Sequence, residues 1–248
     1  PRPWFNYLFN KIYHAMISQT GGGFSYYRDP KYYRVLRYDH LTSDRPGRYL
    51  FLKDPAKKKI WSLNWQPSRE KLSRWEARHG LGYSSIAATH NGIAGKITYF
   101  VPHEAPAELW LVSLKNVTQS KKTIQVYPFV ELVSGDVALE THYRNIVCLY
   151  NEADFDKKNK AIISFKHPFK EWHKPGFAFF SMTLPVDSWE ASRESFLGPY
   201  GHLSSPPGLQ KKKLSGKSVR GEDMIGALQG TITLKPGEEK EFGVILGM

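Results

Sequence analysis

Ile93-Ala94-Gly95-Lys96-Ile97-Thr98-Tyr99-Phe100-Val101 carries the pattern from which the fold is read. Ile93, Ile97, Tyr99 and Val101 fall on one face and Lys96 and Thr98 on the other, the period of two that marks a half-buried strand. Helical spacing fits this stretch poorly. Outward from it, Leu109–Asn116 and Thr123–Glu131 repeat the pattern, and the polar residues 117–122 between them read as a long hairpin loop. Phe177–Leu184 is more continuously apolar and suits a strand covered on both faces. Near the end, Thr231–Leu234 and Glu241–Leu246 flank Lys235-Pro236-Gly237-Glu238. Pro supplies the fixed negative φ and Gly the positive φ of a type II turn, so this segment is expected to close a hairpin.

The 20 Gly and 16 Pro are scattered between such runs, as expected where many short strands are separated by turns. The fold class that follows is all-β, a large antiparallel β-sandwich. Trp4–Ile17 and Ser68–Arg78 are the short helix candidates, and Ser204–Asp223 reads as a polar loop. With no internal repeat and no interior boundary, residues 1–248 are expected to form a single sandwich domain.

At 248 residues the chain can bury roughly 70% of its unfolded surface, so it needs no disulfide or metal staple. Cys148 is its one cysteine, which excludes an intrachain disulfide and fits a reducing compartment. Within Asn145–Tyr150 it reads as a buried strand thiol. No apolar run approaches the ~18 residues of a membrane span, and the amino end lacks a signal-peptide pattern. The expectation is a soluble, cytoplasmic protein, and Pro1 and Met248 read as cuts in a longer chain. A net charge of +12 makes nucleic acid, anionic membranes or phosphate thinkable partners without choosing among them.

The residues that could carry chemistry are sparse. Gly21-Gly22-Gly23 invites a phosphate-loop reading, but the Walker spacing is absent and aromatics follow, so a tight turn between strands is favoured. Tyr26-Tyr27-Arg28, Tyr32-Tyr33-Arg34 and Arg37-Tyr38 interleave rings with cations, which suits nucleic acid, sugar or plain sheet packing. Lys57–Lys59, Lys121-Lys122, Lys157-Lys158 and Lys211–Lys213 read as solvated loop tips. The nine histidines show no metal-ligand spacing, and His79 reads as a structural imidazole. Asp39, Asp44, Glu76, Glu131, Asp136 and Glu140 could hold a carboxylate pair, with no separation to be had from sequence. No nucleophile, base and orienter are arranged together.

Taken in order, several segments resemble the amino-terminal domain of the glycoside hydrolase family 94 phosphorylases, the group of cellobiose and chitobiose phosphorylases. They include Pro3–Leu8, the triple-Gly loop running into Tyr27-Arg28-Asp29, Leu36-Arg37-Tyr38, Gly47-Arg48-Tyr49, Trp61-Ser62 and Trp65-Gln66-Pro67. Arg78–Leu81, Asn91-Gly92-Ile93, Tyr99–Pro102, Arg193–Gly198 and Leu234–Glu238 continue the match along essentially the whole chain.

The resemblance implies a galactose mutarotase-like β super-sandwich that precedes a helical linker and an (α/α)6 barrel. It further implies inverting phosphorolysis of a β-glycosidic bond to a sugar 1-phosphate, with inorganic phosphate as co-substrate and no other cofactor. One carboxylic acid then suffices, because phosphate is the nucleophile. That acid would lie in the barrel, beyond Met248, leaving no catalytic residue and no metal ligand here. In the family a sandwich loop of the type Asp, Thr, Asn, Phe, Gln, Arg, Asn reaches the neighbouring subunit's site in a homodimer.

Here the corresponding stretch is Glu140-Thr141-His142-Tyr143-Arg144-Asn145, one residue shorter, with Tyr alone for Phe-Gln. It nominates Arg144, Tyr143 and His142 as oligosaccharide-binding residues. Their polar neighbours suggest a loop projecting from a sheet edge. Arg37-Tyr38-Asp39-His40 is a second departure from the family pattern. The partners implied are an oligosaccharide, the barrel and a second subunit, with neither nucleic acid nor membrane. The alternatives are a stand-alone carbohydrate-binding or interaction module, a fragment of a cyclic β-1,2-glucan synthase and, ranked last, a basic nucleic-acid-binding domain.

Overall fold

The computed structural model describes residues 2–39, 44–168, 171 and 176–248, so His40 lies outside the described residues. The chain opens with β1 (Phe5–Phe9), β2 (Tyr13–Ser18), β3 (Ser25–Tyr27) and β4 (Arg34–Leu36), then a hairpin of β5 (Tyr49–Asp54) and β6 (Lys59–Ser62). A meander follows, β7 (Arg74–Gly80), β8 (Tyr83–His90), β9 (Ile93–Phe100) and β10 (Ala107–Asn116), and then the long β11 (Lys122–Gly135). Helix α1 (Val137–Val147) leads into β12 (Asn151–Asp156), β13 (Ala161–Lys166) and β14 (Gly176–Met182). After β15 (Ser188–Ser192) and α2 (Arg193–Leu197), the chain ends in β16 (Val219–Arg220), β17 (Met224–Leu234) and β18 (Glu239–Gly247).

These strands form two antiparallel sheets. One runs β1-β2-β3-β4-β11-β17-β15, with β5 and β6 continuing beside the first half of β11. The other runs β16-β12-β13-β14-β18-β10-β9-β8-β7. Between them Leu36, Leu52, Val126 and Leu228 meet Ile97, Trp110, Phe180 and Val244 in one buried core. Each such side chain contributes roughly 1.5–3 kcal/mol on leaving water, so this inner layer holds the sandwich together.

A second core lies outside the first sheet. Odd-numbered residues of β5 and β11 point away from the inner layer, and Tyr49, Phe51, Tyr127 and Phe129 are capped there by Phe196, Leu197, Leu203, Leu209 and Leu214. The segment Ser204–Asp223, expected to be a polar loop, therefore contains a 3₁₀ turn at Pro207–Gln210, strand β16 and two core leucines. Leu209 and Leu214 are too widely spaced to show a period.

Other expectations are corrected. Trp4–Ile17 is no helix but the hairpin β1–β2: the Asn10 side chain accepts from the backbone of Ile12 and Tyr13 at 2.8 and 2.7 Å and turns the chain. Ser68–Arg78 likewise leads into the edge strand β7, paired along β8. Neither 117–122 nor 235–238 closes a hairpin, because β10 and β18 lie in one sheet and β11 and β17 in the other. Both loops cross between the layers. The type II turn is present, with Gly237 at φ +72° and Glu238 N donating to Lys235 O at 3.1 Å.

Strand β14 alternates instead of being covered on both faces, since Phe177 is 58% exposed while Ala178, Phe180 and Met182 face the core. The triple-Gly segment forms the expected tight turn: Gly21 and Gly23 have φ of +81° and +113°, and a Cβ on Gly23 would stand 2.0 Å from Met16 O. Lys122 is no loop tip; it is buried against Asp54 at 3.1 Å.

Candidate functional site

Helix α1 leaves the end of β11, and its Glu140 reaches both Arg37, beside β4, and Lys166, on β13 of the other sheet. Gly135 ends the strand, and Asp136 caps the helix, its Oδ1 accepting from Ala138 N at 2.7 Å and Leu139 N at 3.1 Å. An N-cap carboxylate satisfies amides that would otherwise lack partners. The stretch Glu140–Asn145 is thus helical and not a projecting loop, with a local break at Tyr143, whose φ is −133°.

The three nominated residues do not share one environment. Tyr143 is 56% exposed, and the exposed His142 ring sets Nδ1 2.9 Å from Ala138 O. Arg144 is held by Asp223, with Nη2 to Oδ2 at 2.5 Å and Nε to Oδ1 at 3.2 Å. Cys148, expected in a strand, sits half-buried in the 3₁₀ turn after α1.

Beneath α1 is a charged network that sequence reasoning did not assemble. Arg37, just past β4, is its hub: Nη1 donates to Glu131 Oε2 at 2.6 Å, Nε to Glu140 Oε1 at 2.7 Å and Nη2 to Asp223 Oδ1 at 3.0 Å. Arg193 Nε reaches Glu131 Oε2 at 3.2 Å, and Lys166 Nζ reaches Glu140 Oε2 at 3.2 Å. Burial alone would raise the Glu140 and Asp223 carboxyls; for both, Arg37 leads the cations that outweigh it, and each is held below its ordinary value. Burial pulls the Lys166 ammonium down, with Glu140 opposing.

Asp223, Arg193 and Lys166 are far apart in sequence, and no local motif links them. Glu131 gave the one available signal, a carboxylate inside the apolar run Phe129–Val133, which calls for a buried cation. Of the other carboxylate candidates, Asp44 accepts from Ser18 and Thr20, and Glu76 pairs with Arg78 on the surface. His79 faces Ser84 Oγ at 2.9 Å, a structural contact.

Next to the network opens a cavity of about 530 Å³, walled by β4, α1 and the segment after α2. Arg34, Tyr38, Arg45 and His202 also line it, together with the apolar Leu36, Val133 and Leu203. Carboxylates held below their usual range by arginines are poor bases, so the arrangement is built to bind rather than to move protons.

The glycosyl hydrolase 94 supersandwich domain matches residues 1–248 of this chain. The chain belongs to that family. It is 32% identical over 251 residues to the N,N'-diacetylchitobiose phosphorylase of Vibrio furnissii, covering 100% of this chain and 31% of the relative. A 3-O-beta-D-glucopyranosyl-beta-D-glucuronide phosphorylase of Paenibacillus borealis is 30% identical over 255 residues, again with 100% and 31% covered. The cyclic beta-(1,2)-glucan synthase NdvB of Rhizobium meliloti is 26% identical over 249 residues, which are 100% of this chain and 8% of that protein.

Among solved structures, the GalM/aldose epimerase homologue from C. elegans superposes with a TM-score of 0.52 at 10% identity, covering 99% of this chain and 98% of that one. This likeness establishes the galactose mutarotase-like fold of the glycosyl hydrolase 94 supersandwich. Among the described residues no helix is long and apolar enough to cross a membrane, and no group of His, Cys, Asp or Glu could hold a metal ion.

Proposed function

We propose that this chain is the non-catalytic sandwich domain of an inverting disaccharide or oligosaccharide phosphorylase. Phosphate attacks the anomeric carbon opposite the leaving sugar, whose oxygen takes a proton from a carboxylic acid on an (α/α)6 barrel of the same polypeptide. Inorganic phosphate is the co-substrate, and no cofactor is required. In this reading α1 offers His142, Tyr143 and Arg144 to a saccharide at the neighbouring subunit's site in a cytoplasmic homodimer. Neither nucleic acid nor membrane is a partner.

The observation that carries the reading is a family match over the entire chain that spans only 31% of a chitobiose phosphorylase. Arginine-held carboxylates support a binding role for this domain, and the names of its relatives span both an N-acetylated disaccharide and a glucuronide. The test is to express the complete open reading frame and the 248-residue chain separately. Each is incubated with phosphate and cellobiose, chitobiose, laminaribiose or sophorose, and sugar 1-phosphate is assayed. The complete protein should release it and the chain alone should not; turnover by the chain alone overturns the assignment. Similarity to the glucan synthase over the whole chain favours a second reading, in which the complete protein builds β-1,2-linked glucan, visible by mass spectrometry.

A further inference from the structure

Five arginines against three carboxylates line the cavity beside α1, and Lys166 and Asp223 behind its wall add one charge of each sign. Most of this charge is spent internally. Arg37 serves Glu131, Glu140 and Asp223, and Arg144 serves Asp223. Arg193 commits Nε to Glu131.

Arg34 differs. It pairs with no carboxylate among the described residues; its Nε makes one long contact, 3.3 Å to Pro30 O, and its guanidinium lies 3.7 Å over the Phe24 ring. Burial pulls it down to about 10. A half-buried cation without a counter-charge is costly, and an anion delivered to it removes that cost. Tyr49, in the neighbouring core, has a wholly buried hydroxyl that makes no hydrogen bond; burial raises it, Asp44 and Glu131 raise it further and Arg45 opposes them.

We infer that this cavity is an oxyanion site that takes the carboxylate or phosphate of a charged sugar, with Arg34 as its uncommitted fork. A planar guanidinium matches both oxyanions with two parallel N–H donors. Arg45, whose Nη1 rests 3.0 Å from His202 Nε2, lines the same cavity, and Leu36 and Val133 add apolar lining for a pyranose. That the anion arrives on a sugar rests on the proposed function; that the cavity takes an oxyanion rests on the arginines alone.

The 248-residue chain, its Arg34→Gln variant and its Arg34→Lys variant are titrated calorimetrically at low ionic strength with glucose, glucuronate, glucose 1-phosphate and inorganic phosphate. Glucuronate or glucose 1-phosphate should bind at least tenfold more tightly than glucose. Arg34→Gln should weaken that binding tenfold or more, and Arg34→Lys should restore part of it. Inorganic phosphate binding as tightly as the charged sugars, with the same loss in Arg34→Gln, keeps the oxyanion site and removes the sugar. Glucose binding as tightly as glucuronate, or a folded Arg34→Gln chain with unchanged affinities, overturns the oxyanion site while leaving the carbohydrate reading intact. If Arg34→Gln does not fold, competition between phosphate and glucuronate on the unmodified chain decides: no competition overturns the proposal.

Discussion

Arg48, which leads into β5, and Glu108, on β10, meet fork to fork between the two sheets with no solvent exposure on either side chain. Arg48 Nη2 donates to Oε2 at 2.8 Å while Nε donates to Oε1, and Trp110 Nε1 adds a third donor at 3.0 Å. Arg48 Nη1 also reaches Met16 O at 3.1 Å, so the pair ties β2 and β5 of one layer to β10 of the other. Two ions in an apolar core are tolerated only while each satisfies the other.

Removing one partner should therefore cost far more than removing both. Glu108→Gln is expected to lose about 3–5 kcal/mol, because Arg48 stays charged and buried. Arg48→Met combined with Glu108→Leu should recover at least half of that. Chemical denaturation of the three proteins checks this, and a double variant less stable than the single one would show that the pair is net stabilising in its own right.

The Arg37 network makes stability sensitive to acid. Glu140 and Asp223 have folded-state values below their unfolded ones, since Arg37 and its neighbouring cations outweigh burial. Their contribution is present above the unfolded values, near pH 4, and is lost as pH falls through the depressed folded values. Unfolding free energy should thus fall steeply below about pH 4. Glu140→Gln should flatten that limb while lowering stability at pH 7. Urea melts at pH 3, 4, 5 and 7 read both effects; an unchanged acid slope would remove Glu140 from the linkage.

Much of this fold was legible in strand period alone. Ile93–Val101 reads correctly because β9 shows one face to the core and one to solvent, and alternation records that directly. The turn at Lys235–Glu238 was equally legible, but its consequence was not. A hairpin forms only if the flanking strands have free edges for each other. Both edges of β17 are taken by β11 and β15, and both edges of β18 by β10 and β14.

The two crossing loops are tied by Asn116, whose Nδ2 donates to Ser120, Leu234 and Lys235 carbonyls, a long-range role that no local pattern announces. The candidate site is harder still. Asp136 before Val137 and the Glu140/Arg144 spacing were signals for α1. The convergence of Arg37, Glu131 and Asp223 is set by sheet order and invisible along the chain.

Cys148 should react slowly in the native protein, for a reason other than strand burial. Partial burial raises its thiol, and Asp223 and Glu140 raise it further, leaving little thiolate at neutral pH. With a chromogenic disulfide reagent, the native rate should climb with pH to a midpoint above the ~8.5 of a free cysteine. In denaturant the reaction should be fast. A native midpoint at or below the free value would mean that Arg144 and Lys166, and not the two acids, dominate the thiol.

The last expectation concerns Arg144 in the proposed phosphorylase. Its bonds to Asp223 use Nε and Nη2, so the guanidinium is fixed in place with Nη1 outside that pair. Tyr143, exposed beside it, has a ring face suited to a pyranose. Arg144→Ala breaks a half-exposed ion pair and should cost at most about 1 kcal/mol, since Asp223 keeps Arg37. If Arg144 also meets the saccharide, kcat/KM should fall by tenfold or more, about 1.4 kcal/mol. Asp223→Asn, which leaves Arg144 charged but unheld, should cost more stability, because the buried Arg37 loses a carboxylate as well, and should disturb KM more than kcat, because Arg144 is then present but no longer aimed. Loss of stability with unchanged kinetics in Arg144→Ala would assign the residue wholly to the framework beneath α1.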